Sequence, residues 1–181
     1  MDVAVRETTE GDLDFVLAME TEPEAARLVG QWTRDRHREA IGRADEEHLL
    51  ILAGENPVGY ALLQGVGDPN RSIEIRRIVV GPRGAGIGRR ALRLIVDRAF
   101  DRHAAHRVWL ATFPWNERAQ RAYAAAGFVR EGTLRDALLK NGRFESLVMM
   151  SILRLEWAQV RRPATAGSSA LRRSRGRGAF A

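Results

Sequence analysis

The sequence predicts an α/β fold built on a mixed central β-sheet of about seven strands flanked by helices. Three observations carry that expectation. Short runs with apolar residues at every second position alternate along the chain with segments whose apolar residues recur at helical spacing. A first group of strands is joined by tight turns, whereas the later strands are separated by helices. A glycine-rich loop joins one strand directly to the longest amphipathic segment.

In chain order, Val3 to Thr8 alternates apolar and polar residues as a half-buried strand does. Thr9 is placed to cap a helix through Met19, with Glu10 and Asp12 favourable in its first turn. A second helix is expected from Glu22 to Trp32, with Pro23 in its first turn, and a third from Arg34 to Ile41. The period then changes. His48 to Ala53 and Pro57 to Val66 are strand-like runs joined by Gly54-Glu55-Asn56, and Gly67-Asp68-Pro69-Asn70 turns the chain into a strand from Ser72 to Val80. Beyond the glycine loop, Ile87, Ala91, Leu92, Ile95, Val96, Ala99 and Phe100 form one face of a long helix. A strand from Arg107 to Thr112, a helix from Glu117 to Ala126 and a strand from Phe128 to Arg135 follow. Asn141-Gly142 is a hairpin turn into a last strand, Arg143 to Leu155.

The 181 residues, 45% hydrophobic and 29% charged, suit one soluble domain with a real core. No run reaches the roughly 18–20 apolar residues needed to cross a bilayer, and the first residues lack the pattern of a secretion signal. No membrane association and a cytoplasmic location are the expectations. With no cysteine, disulfides, thiolate metal sites and a cysteine nucleophile are excluded. His103 and His106 are three apart but lack a third ligand, so they read as a solvated helix end and no metal is expected. The net charge of +6 belongs to the C-terminus, where six arginines follow the last acidic residue, Glu156. The rest of the chain carries 23 basic and 23 acidic residues. Residues 1–157 are therefore expected to form one domain, and 158–181 a basic, disordered tail. Nucleic acid would be bound only through that tail.

The glycine-rich loop points to an anion. The first N–H groups of a helix have no intrahelical partner, the helix dipole adds positive potential, and glycines let an anion approach those amides closely. Gly84, Gly86 and Gly88 fall where the strand Ser72 to Val80 gives way to the long helix, between Arg83 and Arg89. A Walker loop would end in Gly-Lys-Ser or Gly-Lys-Thr, but Gly88 is followed by Arg89-Arg90. A dinucleotide fold would use Gly-x-Gly-x-x-Gly after the first strand. Neither nucleotide reading fits the spacing, and a ligand-free glycine turn remains open.

Arg83-Gly84-Ala85-Gly86-Ile87-Gly88 resembles the cofactor motif of the GNAT superfamily of N-acetyltransferases, Gln/Arg-x-x-Gly-x-Gly/Ala. The block Asn116-x-x-Ala119-x-x-x-Tyr123-x-x-x-Gly127-Phe128 resembles a second stretch of that family. Trp32 with His37, the strand Glu74 to Val80 and Glu131-Gly132-x-x-Arg135 are similar to the branch holding ribosomal-protein amino-terminal and spermidine acetyltransferases. The likeness runs from about Val3 to Leu155. It implies a sheet with a splayed parallel strand pair, acetyl-CoA as co-substrate, and direct acetyl transfer to a primary amine of a peptide, protein or small molecule. A homodimer is left open. Two other readings stay in view: a non-catalytic acyl-CoA-binding domain, and a protein recruited to nucleic acid by its arginine tail.

The resemblance implies roles residue by residue. Amides of Arg83, Gly84, Ala85, Gly86, Ile87, Gly88 and Arg89 would hold the pyrophosphate. Ile78, Val79 and Val80 would pair with the pantetheine arm, one N–H near Val80 polarising the thioester carbonyl. Asn116 and Ala119 would lie beside the cofactor, Asn116 also serving as a helix N-cap. Tyr123 is the expected general acid for the thiolate, its alternative being a core residue. Glu74 is the expected base, its alternative being a salt bridge with Arg76 or Arg77; Glu131 and His37 are weaker candidates. Trp32, Arg36 and His37 would form one wall of the acceptor site, with Trp32 equally suited to anchor the core.

Overall fold

The computed structural model of the chain describes residues 2–81 and 86–161. Its strands are β1 (Val3–Glu7), β2 (Glu46–Ala53), β3 (Asn56–Gln64), β4 (Ser72–Val80), β5 (Arg107–Thr112), β6 (Val129–Lys140) and β7 (Arg143–Leu153). Its helices are α1 (Leu13–Thr21), α2 (Pro23–Val29), α3 (Arg34–Gly42), α4 (Ile87–Asp101), α5 (Glu117–Ala125) and α6 (Arg154–Arg161). The seven strands form one sheet in the order β1-β2-β3-β4-β5-β7-β6. Every neighbouring pair is antiparallel except β4 and β5.

That one parallel pair is short. β4 and β5 are in register at Ser72↔Arg107, Ile73↔Val108 and Glu74↔Trp109, and the pairing stops there. β4 continues for six more residues held only by β3, from Glu74↔Gln64 to Val80↔Gly59. β5 stays paired with β7 over its whole length, from Arg107↔Leu153 to Thr112↔Val148. The sheet therefore opens into a V whose vertex is Glu74 and Trp109, which is the splayed parallel pair expected above.

A bulge re-aims β4 within the V. Leu62 and Leu63 of β3 face Arg77 and Ile75, so Arg76 is an extra residue on β4. A one-residue slip sends the following side chains to the opposite face. Ile73 and Ile75 pack into the large core beneath α4, with Ile87, Leu92, Ile95, Val96 and Phe100. Beyond the bulge Arg77 and Val79 point to the other face, where Val79 packs with Val16, Ala25, Leu50 and Tyr60. α4 thus covers one face, and α1 to α3 cover the other over the β1–β4 half.

β2 starts two residues earlier than in the sequence reading and β3 ends two earlier; three further differences have a specific physical cause. α2 ends at Val29 rather than Trp32, because Gly30 takes φ +65°, ψ 164°, a conformation essentially restricted to glycine that no helix continues through. β6 runs to Lys140 rather than Arg135, because a register break between Leu134 and Leu138, with Asp136 at φ +49°, absorbs the turn-like residues without ending the pairing. The last strand ends at Leu153 instead of Leu155. Leu153, Leu155 and Trp157 mimic strand alternation, but Trp157 and Val160 share the inner face of α6, and the Trp157 indole donates to Asp97 at 3.0 Å. Regular structure accordingly continues four residues past the expected boundary at 157; residues 162–181 of the expected tail lie outside the described residues.

Gly59 is where β3 and β4 approach too closely for any side chain, since a Cβ there would stand 2.3 Å from the Val79 carbonyl oxygen. Gly59→Ala should force the two strands apart beside the V and cost about 1–3 kcal/mol, read as a lower midpoint of thermal unfolding. An unchanged midpoint would contradict the close approach.

Candidate functional site

The V leads directly to the start of a helix. Gly86 caps α4 in the left-handed conformation, φ +70°, and buried Ile87 pins the first turn to the core. Among the described residues a Cβ at Gly88 would meet no atom within 4 Å, so packing against them does not explain that glycine. The first turn of α4 holds no acidic residue but carries Arg89 and Arg90. Cations there oppose the helix dipole by a few tenths of a kcal/mol, and an anion bound at those amides would reverse the sign. Gly86, Ile87, Gly88 and Arg89 are thus placed at the head of α4, close in sequence to Ile78–Val80. Arg83, Gly84 and Ala85, expected to complete the cradle, lie outside the described residues.

α5 supplies the second set. Asn116 Oδ1 accepts from the Ala119 amide at 3.2 Å, so it does cap the helix as its local chemistry suggests. Tyr123, two turns on, packs against the α4-side core with its ring 6.1 Å from that of Phe128. Burial pushes its phenol up to about 12, against a smaller pull from the Arg118 charge. No hydrogen bond ties its hydroxyl to a protein partner among the described residues. Tyr123 is therefore a neutral, proton-bearing phenol at any physiological pH, as a general acid must be.

Glu74 occupies the vertex on the face away from α4. It lines an open pocket of about 660 Å³ with Gln64, Asp68, Ser72, Arg107 and Trp109. Burial raises its carboxyl pKa, and Arg76, whose Nη1 is 3.3 Å from Oε1, pulls it part of the way back. The salt bridge considered as its alternative role is therefore present, with Arg76. Glu131 is occupied elsewhere: it pairs with Arg107 and accepts from Ser151 Oγ at 2.7 Å.

Trp32 and His37 belong to a buried polar network between the sheet and α1 to α3. Glu20, on α1, accepts from the Trp32 amide at 2.7 Å, from Arg77 Nη1 at 2.7 Å and from the Tyr60 hydroxyl. His37 is fully enclosed, with Nε2 3.3 Å from Glu20 Oε1 but outside hydrogen-bond angles, and Nδ1 3.1 Å from His48 Nε2. His48 Nδ1 is 2.9 Å from Thr8 Oγ1. Arg77 also donates to the Gly30 carbonyl at 3.1 Å, and its guanidinium lies 3.9 Å from the Trp32 ring centre, with that of Arg36 at 4.3 Å. Trp32 is both a stacked anchor and part of the α2–α3 loop; His37 lies inside the network, its ring 5.3 Å from that of Trp32. Burial alone would raise the Glu20 carboxyl. The close His37 imidazole, hydrogen bonds from Tyr60 and the Trp32 amide, and the Arg77 charge together outweigh it and hold the group below its ordinary value.

Sequence reading passed over the Glu20–Arg77 pair. Its signal is the adjacent Arg76-Arg77 inside an apolar strand, which strict alternation would bury on the α4 side. It also passed over a second pocket, of about 380 Å³, at the open end of the V. Arg27 and Glu24 of α2 face Trp115, Asn116 and Arg118 there; Arg118 pairs with Glu24 at 2.9 Å, and the Trp115 and Phe113 rings stack at 4.8 Å.

Among known proteins, the model of the Acetyltransferase (GNAT) family matches residues 14–128. The Bacillus subtilis (strain 168) protein YdaF, whose name places it among ribosomal N-acetyltransferases, is 32% identical over 100 residues, 55% of each chain. The spermidine N(1)-acetyltransferase of Vibrio cholerae serotype O1 is 29% identical over 116 residues, 63% of this chain and 66% of that one. The matched part thus spans just over half of one curated relative and just under two thirds of the other. The crystal structure of spermidine N-acetyltransferase from Vibrio cholerae in complex with CoA and spermine shares the fold, with a TM-score of 0.77 at 23% identity. That match covers 86% of this chain and 98% of that one.

The network predicts an acid limb of stability. Burial, with the nearby charges of His37 and Arg77, lowers the His48 imidazole from 6.5 to about 4. Between those values the unfolded chain binds the proton that the folded chain refuses, so stability falls as pH drops from about 6.5 to about 4. Thermal unfolding followed across that window should show the fall, and His48→Gln should flatten it; an equally steep limb in the variant would contradict the assignment.

Proposed function

Since the chain belongs to the Acetyltransferase (GNAT) family, we propose that it transfers an acetyl group from acetyl-CoA directly to a primary amine. The observation that carries this reading is the V: pairing between β4 and β5 ends at Glu74↔Trp109, and the freed arm of β4 runs toward an acid-free, glycine-opened helix start. A strand edge that has lost its neighbour needs donors and acceptors from elsewhere, and a pantetheine arm supplies amides in that pattern.

In this reading Gly86 to Arg89 hold the pyrophosphate and Ile78 to Val80 align the pantetheine. Acetyl-CoA supplies the activated acyl group. A β4 amide near Val80 donates to the thioester oxygen, where negative charge develops during attack. Glu74, with its raised pKa, takes the proton from the incoming ammonium through solvent in the adjoining pocket. Tyr123 gives its proton to the departing thiolate. The absence of cysteine agrees with attack by the amine itself, without an acylated thiol on the protein. The acceptor is a peptide or protein amino terminus or a small-molecule amine; the names of the relatives, one ribosomal and one spermidine-directed, support both classes.

Thiol release from acetyl-CoA across a panel of peptides, polyamines and aminoglycosides tests the reading, with turnover expected for at least one class. Tyr123→Phe should lower kcat at least about tenfold while leaving acetyl-CoA affinity intact. Tight acetyl-CoA binding without turnover on any amine would leave a binding module instead, and undiminished kcat in Tyr123→Phe would remove that residue from the chemistry.

A further inference from the structure

We propose that Lys140 is a self-acetylation site, charged from the donor bound in the protein's own cleft; the proposal rests on the acetyltransferase reading. Lys140 is the single lysine of the chain, the other 28 basic residues being arginines. A guanidinium does not deprotonate in proteins, so Lys140 is the one side chain able to act as an amine acceptor.

Its position puts it at the cleft. Lys140 ends β6 at the tip of the β6–β7 hairpin, fixed by Asn141 and Gly142 at φ +50° and +75°. Its Nζ donates to the Arg27 carbonyl at the C-terminal end of α2 and stands 5.1 Å from the centre of the Phe113 ring. Phe113 directly follows Thr112, the end of the β5 arm of the V, and stacks on Trp115. Trp115, Arg27 and Asn116 line the pocket at the open end of the V. The amine is therefore one aromatic ring from the end of the β5 arm, which faces, across the V, the β4 arm along which the donor is proposed to lie. No carboxylate holds it: among the described residues its partners are a carbonyl and a ring. A four-carbon stem with free rotors lets Nζ sweep several ångströms inward without moving the backbone.

The step balances simply. The Lys140 ammonium loses a proton to solvent, Nζ attacks the thioester carbonyl, and the nitrogen then gives up its second proton to solvent. A C–N bond forms, the C–S bond breaks, and the thiolate takes a proton from Tyr123, which is refilled from solvent. The net change is lysine ammonium and acetyl-CoA to acetyl-lysine, free thiol and one proton. The acetylated side chain carries no charge over Phe113, which alters the hairpin contact at the mouth of the acceptor cleft.

The test uses the purified full chain with acetyl-CoA and no added amine, followed by intact mass and peptide mapping. The expected result is one acetyl group on Lys140, gained at a rate independent of protein concentration, absent in Lys140→Arg and slowed at least about tenfold in Tyr123→Phe. An unmodified Lys140 in protein that turns over external amines would overturn the proposal and leave the enzyme reading standing. Equal modification in Tyr123→Phe would also overturn it, as uncatalysed chemistry. Neither self-modification nor external turnover would overturn both.

Discussion

The whole arrangement depends on how little β4 and β5 share. Each strand is held along its length by its other neighbour, β4 by β3 and β5 by β7, yet they meet at only three residue pairs. Past Glu74 and Trp109 the two halves of the sheet are joined not by backbone hydrogen bonds but by α4. Its apolar face packs on Ile73 and Ile75 from one half and on Val108, Leu110 and Val148 from the other. Burying that face stabilises the fold without closing the gap, so an open strand edge can persist inside a well-packed domain.

The same region carries an expensive polar interior. A carboxylate and a guanidinium as enclosed as Glu20 and Arg77 cost several kcal/mol each to desolvate, and their attraction offsets this only when the remaining donors and acceptors are filled. They nearly are: Glu20 receives Arg77, Tyr60 and the Trp32 amide, and Arg77 spans Glu20, the Gly30 carbonyl and the Trp32 face. The return is position rather than stability. The cluster fastens the α2–α3 loop to the arm of β4 just beyond its bulge.

Much of this was legible in the residues. α4 declares itself through apolar positions from Ile87 to Phe100, and β5 through Arg107 to Thr112, because strong periodicity leaves few alternatives. Asn141-Gly142 marked its hairpin through the positive φ that both positions adopt. The misses have a common cause, which is that they depend on tertiary contacts. Leu153, Leu155 and Trp157 alternate like a strand, and only Trp157 docking beside Phe100 and Asp97 makes the segment helical. The turn of Arg77 away from α4 needs the bulge at Arg76, which pairing with β3 creates. The site was half visible: glycines and arginines at a helix start announce an anion, whereas Glu20, Trp115 and Arg27 join the cleft only through folding.

The central claim is that the open arm of β4 receives the donor as a strand would. Hydrogen exchange at the amides of Arg76 to Val80, with and without acetyl-CoA, addresses it most directly. The account predicts that the amides facing away from β3 exchange fast in the free protein and are protected on binding, while those of Ile73 and Val108, already inside the paired segment, change little. Binding that leaves the β4 arm exchanging at its free rate would contradict it.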